Sequence, residues 1–152
     1  MEFFDILTWP MKKEYTNGLL SLIVLCIVAI GCSAITDGKP AAESAVVEFH
    51  SMLNDGKYTE IYAATDERLK EVSSEEDMLK IFNAVHTKLG LVKNSTAQSW
   101  KAANYNLTTT IVIVQATEFE KGKGTETFTF VIADKKATLA GYYIESIDMM
   151  TN

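Results

Sequence analysis

The chain has 152 residues with 14 basic side chains against 20 acidic ones, a net charge of −6. With this acidic balance and Arg68 as its only arginine, the chain is a poor binder of a phosphate backbone, which argues against nucleic acid as a partner. Hydrophobic residues make up 47% of the chain, enough for a sizeable core, and two cysteines are too few for a disulfide framework.

Residues Met1 to Pro10 mix Glu2 and Asp5 with Phe3, Phe4 and Trp9 and show no period. Initiation at Met11 suits the cationic and apolar residues beyond it; initiation at Met1 only lengthens the same segment. From Met11 the chain passes Lys12 and Lys13, runs through the apolar stretch Leu19 to Ile30, and reaches Gly31-Cys32. A cationic start, an apolar run short of the ~20 residues a bilayer span needs, and a small residue at its end are the marks of a cleaved secretory signal. Ala29-Ile30-Gly31-Cys32 also resembles the lipobox of bacterial lipoproteins. The resemblance implies that residues 1–31 are a signal peptide and that Cys32 is the lipidation site, acylated on its thiol and first in the mature chain. An uncleaved transmembrane anchor, or an ordinary signal cut elsewhere, is the alternative. Residues 32–40, with Thr36-Asp37-Gly38-Lys39-Pro40, read as a flexible tether and favour acylation. Acyl chains such as palmitate add ~0.8 kcal/mol per buried methylene, so several anchor far more firmly than one. The same resemblance implies, from Ser33 after the Cys in place of Asp, the outer membrane of the bacterial envelope, periplasmic face, if the host has two membranes.

About 121 residues remain from Cys32, with 17 acids against 12 bases and a net charge of −5, and residues 41–152 are expected to form one domain. Cys26 departs with the signal and Cys32 is capped, so no thiol is left for metal or nucleophilic chemistry. Helical patterns come first. Ala42, Val46, Phe49 and Leu53 mark a helix over about 41–53, stopped by Asn54-Asp55-Gly56. Lys57 to Val72 carries Tyr58, Ile61, Tyr62 and Leu69 on one side and has a break signal at Thr65-Asp66. Ser73-Ser74-Glu75-Glu76-Asp77 opens a third helix with a capping serine and acids at its positive end. Met78, Ile81, Phe82, Val85 and Leu89 continue at helical spacing up to Gly90.

Strand patterns fill the rest. Leu91 to Ser95 and Gln98 to Ala102 read as short strands, and Leu107 to Glu120 as a central one around Ile111-Val112-Ile113-Val114. Glu126, Phe128, Phe130 and Ile132 alternate with Thr125, Thr127, Thr129 and Val131 in the next, joined to its predecessor by a hairpin at Lys121 to Gly124. After a turn at Asp134 to Lys136, Ala137 to Met149 closes an antiparallel meander. The fold class is therefore α+β, about three N-terminal helices packed on one face of a sheet.

Asn54-Asp55-Gly56-Lys57-Tyr58, Lys88-Leu89-Gly90 and Ala137 to Ile144 resemble the joints and last strand of the nuclear-transport-factor-2-like (cystatin-like) superfamily, and within it the lipid-anchored bacterial domains of unknown function. The resemblance covers about residues 40–150 and implies a cone, with helices on the concave side of a curved sheet. Its enzymes set an Asp or a His pair inside the cone, where burial tunes the pKa. Neither His50 nor His86 has a metal-ligand spacing, and both are expected to be partly exposed helix residues. Glu118, Glu120 and Glu126 are expected to be solvated near a hairpin tip, as are Glu145 and Asp148 near the chain end. Tyr58, Tyr62, Trp100, Gln115 and Tyr143 are candidates to line the mouth of the cone, although rings filling the core with polar tips in water would serve equally. Asn94-Ser95-Thr96 and Asn106-Leu107-Thr108 match glycosylation acceptors but read as turn polarity in a bacterial protein. No cofactor and no metal is expected. The expectation is a lipid-anchored, non-catalytic envelope protein that binds a protein partner or a small apolar ligand. The alternative is an acid-base enzyme of the cone type, an isomerase or dehydratase, acting on a small lipophilic substrate.

Overall fold

Apolar residues at helical spacing begin the folded part of the chain. In a computed structural model that describes residues 38–106 and 108–151, helix α1 covers residues 38–54 and buries Ala42, Val46, Phe49 and Leu53. Gly38 to Pro40, expected to end a tether, already belong to this helix. A Cβ at Gly38 would stand 2.8 Å from Ile111 Cδ1, so the end of that side chain would have to shift to admit one. Gly56 ends the turn after α1 at φ +70°, a left-handed conformation that glycine adopts without a Cβ clash.

The break signalled at Thr65-Asp66 separates α2 (Tyr58–Ala63) from α3 (Glu67–Val72). Asp66 caps α3, its carboxylate accepting from the Arg68 amide at 3.0 Å, while its own amide donates to Leu139 O at 2.8 Å and ties α3 to the last strand. Helix α4 (Glu75–Leu89) starts as its sequence dictates, with Ser74 Oγ accepting from the Asp77 amide, and ends at Gly90 with φ +78°.

Beyond α4 come four strands in one antiparallel sheet of order β1-β2-β3-β4: β1 (Val92–Tyr105), β2 (Thr108–Phe119), β3 (Lys123–Ala133) and β4 (Lys136–Glu145). The two short strands expected before residue 105 are a single strand of 14 residues. The gap read between them coincides with a register shift between Ala97 and Ser99, where one extra residue bulges without ending the strand. The last strand stops at Glu145, and Asp148–Thr151 form a short helix, α5, opened by Ser146 Oγ accepting from the Met149 amide. The α+β class and the antiparallel meander agree with the sequence reading. The helices are more numerous, because the second segment divides and α5 is added.

Period-2 alternation sorts the sheet into two faces. Ile111, Ile113, Phe128, Phe130 and Leu139 join Phe49, Phe82 and Val85 in one buried cluster under the helices. The opposite face presents Thr110, Val112, Val114, Thr127 and Thr129, half-buried. The described residues fall within one compact unit, and no helix among them is long and apolar enough to cross a membrane. The segment before residue 38, including Gly31-Cys32, lies outside the described residues.

Phe82 is fully buried, with its ring 5.6 Å from Phe49 and 5.9 Å from Tyr142. Phe82→Ala is expected to cost ~3–5 kcal/mol through lost contacts and a cavity, read as a lowered midpoint in urea unfolding.

Candidate functional site

The most demanding group in the core is Glu126, whose side chain is fully buried. Burial of an ionised carboxylate costs several kcal/mol unless donors replace the water it loses. Glu126 faces inward because β3 alternates, so it shares a face with Phe128 and Phe130. Its register partners are Gln115 on β2 and Ile144 on β4. The expectation that Glu126 is solvated at a hairpin tip is thereby corrected: the tip lies at residues 120–122, beyond the point where helices cover the strand.

Four elements supply the carboxylate and its partners. His50 Nε2, on α1, lies 2.8 Å from Glu126 Oε2. Thr117 Oγ1, on β2, donates to the same oxygen at 2.5 Å, and Tyr142 Oη, on β4, donates to Oε1 at 2.7 Å. An ionised carboxylate only accepts, so opposite one His50 Nε2 carries the hydrogen. Ser95 Oγ lies 3.1 Å from Thr117 Oγ1, and Ser95 Oγ donates to Gln115 Oε1 at 3.2 Å. Burial, reinforced by the Glu126 charge and the hydrogen bond to it, holds the Tyr142 phenol well above its ordinary range.

His50 is 7% exposed and belongs to the core, not to a half-exposed helix face. It stands four residues after Val46 and three before Leu53, on the edge of the apolar stripe of α1. His86 is half-buried on α4, with Nδ1 3.3 Å from Leu53 O. Both missed groups carried a signal: Glu126 sits at an inward position of an alternating strand, and His50 sits at helical spacing within a stripe.

The five residues expected to line one mouth are dispersed. Tyr58 packs on Phe82 and His86 with ring centroids 6.2 Å apart in each case, and Tyr62 donates to Ser73 O at 3.0 Å. Gln115 is buried and joins the Glu126 network. Trp100 is exposed on edge strand β1, with Lys39 Nζ 5.8 Å from its ring. Tyr143 lies exposed on the opposite face of the sheet, donating to Glu145 Oε1 at 3.2 Å. Sequence spacing placed each on an element but not on a common wall.

Thr117, a donor to Glu126, lines a cavity of 560 Å³ with Lys123, Thr125 and Asp148, and Ile144, the register partner of Glu126, lines another. The 630 Å³ cavity at the end of β4 is lined by Tyr143, Ile144, Ile147, Met149 and Met150 with Glu145. Ile147 and Met150 are 75% and 79% exposed, a high figure for side chains of this size. Around His50 and Glu126 the space is filled by rings: Phe128 lies 5.7 Å from His50, and Tyr142 lies 5.3 Å from Phe128. Among the described residues no group of three or more His, Cys, Asp or Glu side chains could hold a metal ion.

A family model described as "Protein of unknown function (DUF3887)" matches residues 46–142, more than half of the chain, and the chain belongs to that family. The matched stretch runs from α1 to β4 and contains His50, Thr117, Glu126 and Tyr142. No curated protein matches the chain.

Because the fold favours the neutral phenol of Tyr142, that group leaves stability intact below its ordinary pKa of ~10 and subtracts from it as pH rises beyond. Melting curves between pH 8 and 11.5 are expected to fall more steeply for the native chain than for Tyr142→Phe. At pH 8 the same variant is expected to be less stable by ~1–2 kcal/mol, one donor to Glu126 being lost.

Proposed function

We propose that the chain is a lipid-anchored bacterial envelope protein of the nuclear-transport-factor-2-like type, whose folded unit binds a protein partner or a small apolar ligand without catalysing a reaction. The observation that carries the binding part is the cavity at the end of β4. Its 630 Å³ falls within the ~300–1,000 Å³ of small-molecule sites, and its walls are mostly aliphatic, thioether and aromatic. Methionine adapts its shape to different apolar guests, which suits Met149 and Met150 to such a surface. The sealed setting of Glu126 supports the non-catalytic part, because all three of its donors belong to the fold and rings fill the space where a substrate would lie.

Anchoring rests on Gly31-Cys32 and the apolar run before it. Cells fed a clickable fatty acid are expected to label the native chain and not Cys32→Ala; label retained on that variant would refute the anchor. Binding at the β4 end is tested with an environment-sensitive apolar dye. Ile147→Glu and Met150→Glu are expected to lower its affinity at least about tenfold with an unchanged melting temperature, and unchanged affinity would refute the site.

One observation favours the acid-base alternative. A carboxylate 2.8 Å from an imidazole, with a phenol on its second oxygen, is a competent proton-transfer group if rings move aside to admit a substrate. A His50→Gln chain that is folded and normally abundant, yet fails to restore a deletion strain, would support that reading. Full complementation is the expected outcome.

A further inference from the structure

A second cavity, of 450 Å³, opens on the sheet face opposite the helices. Thr108 and Thr110 of β2 and Thr129 of β3 form one wall, with Val131 and Ala140 as the apolar floor. Tyr105 and Asn106, where β1 turns into β2, stand at one end, and Arg68 of α3 closes the other. Tyr105 is 79% exposed, so a ring is held in water beside three hydroxyls. Those hydroxyls have no side-chain partner among the described residues, whereas neighbouring Thr109 donates to Asn104 Oδ1 at 2.7 Å. Asn106 holds a left-handed backbone at φ +46°, which asparagine tolerates better than most residues. The guanidinium of Arg68 comes no closer than 3.8 Å to Asp66, whose Oδ1 is engaged by the Arg68 amide, so its donors remain open to a guest.

From this lining we infer that the groove binds a saccharide of two or three rings, at a site separate from the apolar cavity at the end of β4. A sugar offers hydroxyls that both donate and accept, matching threonine, asparagine and arginine, and C–H faces that lie on the Tyr105 ring and the Val131 floor. An apolar guest would strip water from the hydroxyls and the guanidinium without replacing their hydrogen bonds. A phosphate would meet a single guanidinium, on a chain of net charge −6. The volume suits a short oligosaccharide within the range of small-molecule sites.

The test uses the full chain in a zwitterionic detergent, because detergents with sugar headgroups would compete. Hits from an array of hexose and N-acetylhexosamine oligosaccharides are titrated by calorimetry against the native chain and its variants. At least one oligosaccharide is expected to bind. Arg68→Ala and Tyr105→Ala should each weaken it at least about fivefold, while Tyr105→Phe, which keeps the ring, should bind within about twofold of native. Thr110→Val, which keeps shape and removes a hydroxyl, should also weaken it. Ile147→Glu should leave this binding unchanged, so failure of the β4 site and failure of this one are told apart. The inference is overturned if no oligosaccharide binds, if hits ignore both Arg68→Ala and Tyr105→Ala, or if inorganic phosphate alone displaces them at equal concentration.

Discussion

A carboxylate beneath an apolar layer has to find its donors inside the fold, and Glu126 draws its three from α1, β2 and β4. Itself on β3, it joins the first helix to the three consecutive strands that form one side of the sheet. Hydrophobic contacts between these layers tolerate sliding; hydrogen bonds of 2.5 to 2.8 Å do not. Removing any one donor leaves a buried charge undercompensated, which in other folds costs more than the intact network contributes. The rings around the pair, Phe49, Phe128 and Tyr142, exclude water and so raise the electrostatic strength of each bond and the cost of breaking it.

This interaction also bears on function. A general acid or base must reach its substrate, and three of the about four acceptor positions of the Glu126 carboxylate are taken by donors of the fold itself. The same groups would be catalytic if the ring wall opened, so chemistry and scaffold differ here by the motion of side chains and not by the identity of the residues. The exposed apolar surface at the end of β4 needs no such rearrangement to accept a guest, which is why binding is the simpler reading.

Sequence patterning carried the helices and most strands because those signals are local. Ser74 and Asp77 cap α4 within four residues, the stripe of α1 repeats along one helix, and Asp66 divides α2 from α3 through its own neighbour. The candidate site depends on pairings across the chain, since His50 and Glu126 stand 76 positions apart. Alternation already aligned Glu126 with Phe128 and Phe130, but its charge and its nearness to a glycine-rich hairpin outweighed the pattern. β1 was divided for the same kind of reason: an edge strand exposed along most of its length has little alternation to read, and a bulge interrupts what there is. Whether Tyr143 and Gln115 share a wall is likewise not local. One strand residue on an even pleat and another on an odd one end on opposite faces, a parity set by register and bulges.

Parity also connects the two faces of the sheet. On β3 the order Thr125-Glu126-Thr127-Phe128-Thr129-Phe130 sends the acid and the rings inward and the threonines outward. A slip of one residue would bring the threonines into the core and expose Glu126 with both phenylalanines. Thr129 pairs with Val112 and Thr110 with Val131, so the outward row is held in place by the same ladder that positions Glu126 opposite Gln115. The inner hydrogen bonds therefore fix the register on which the outer groove depends, and a polar core group with no contact to the outer surface helps determine which hydroxyls that surface presents.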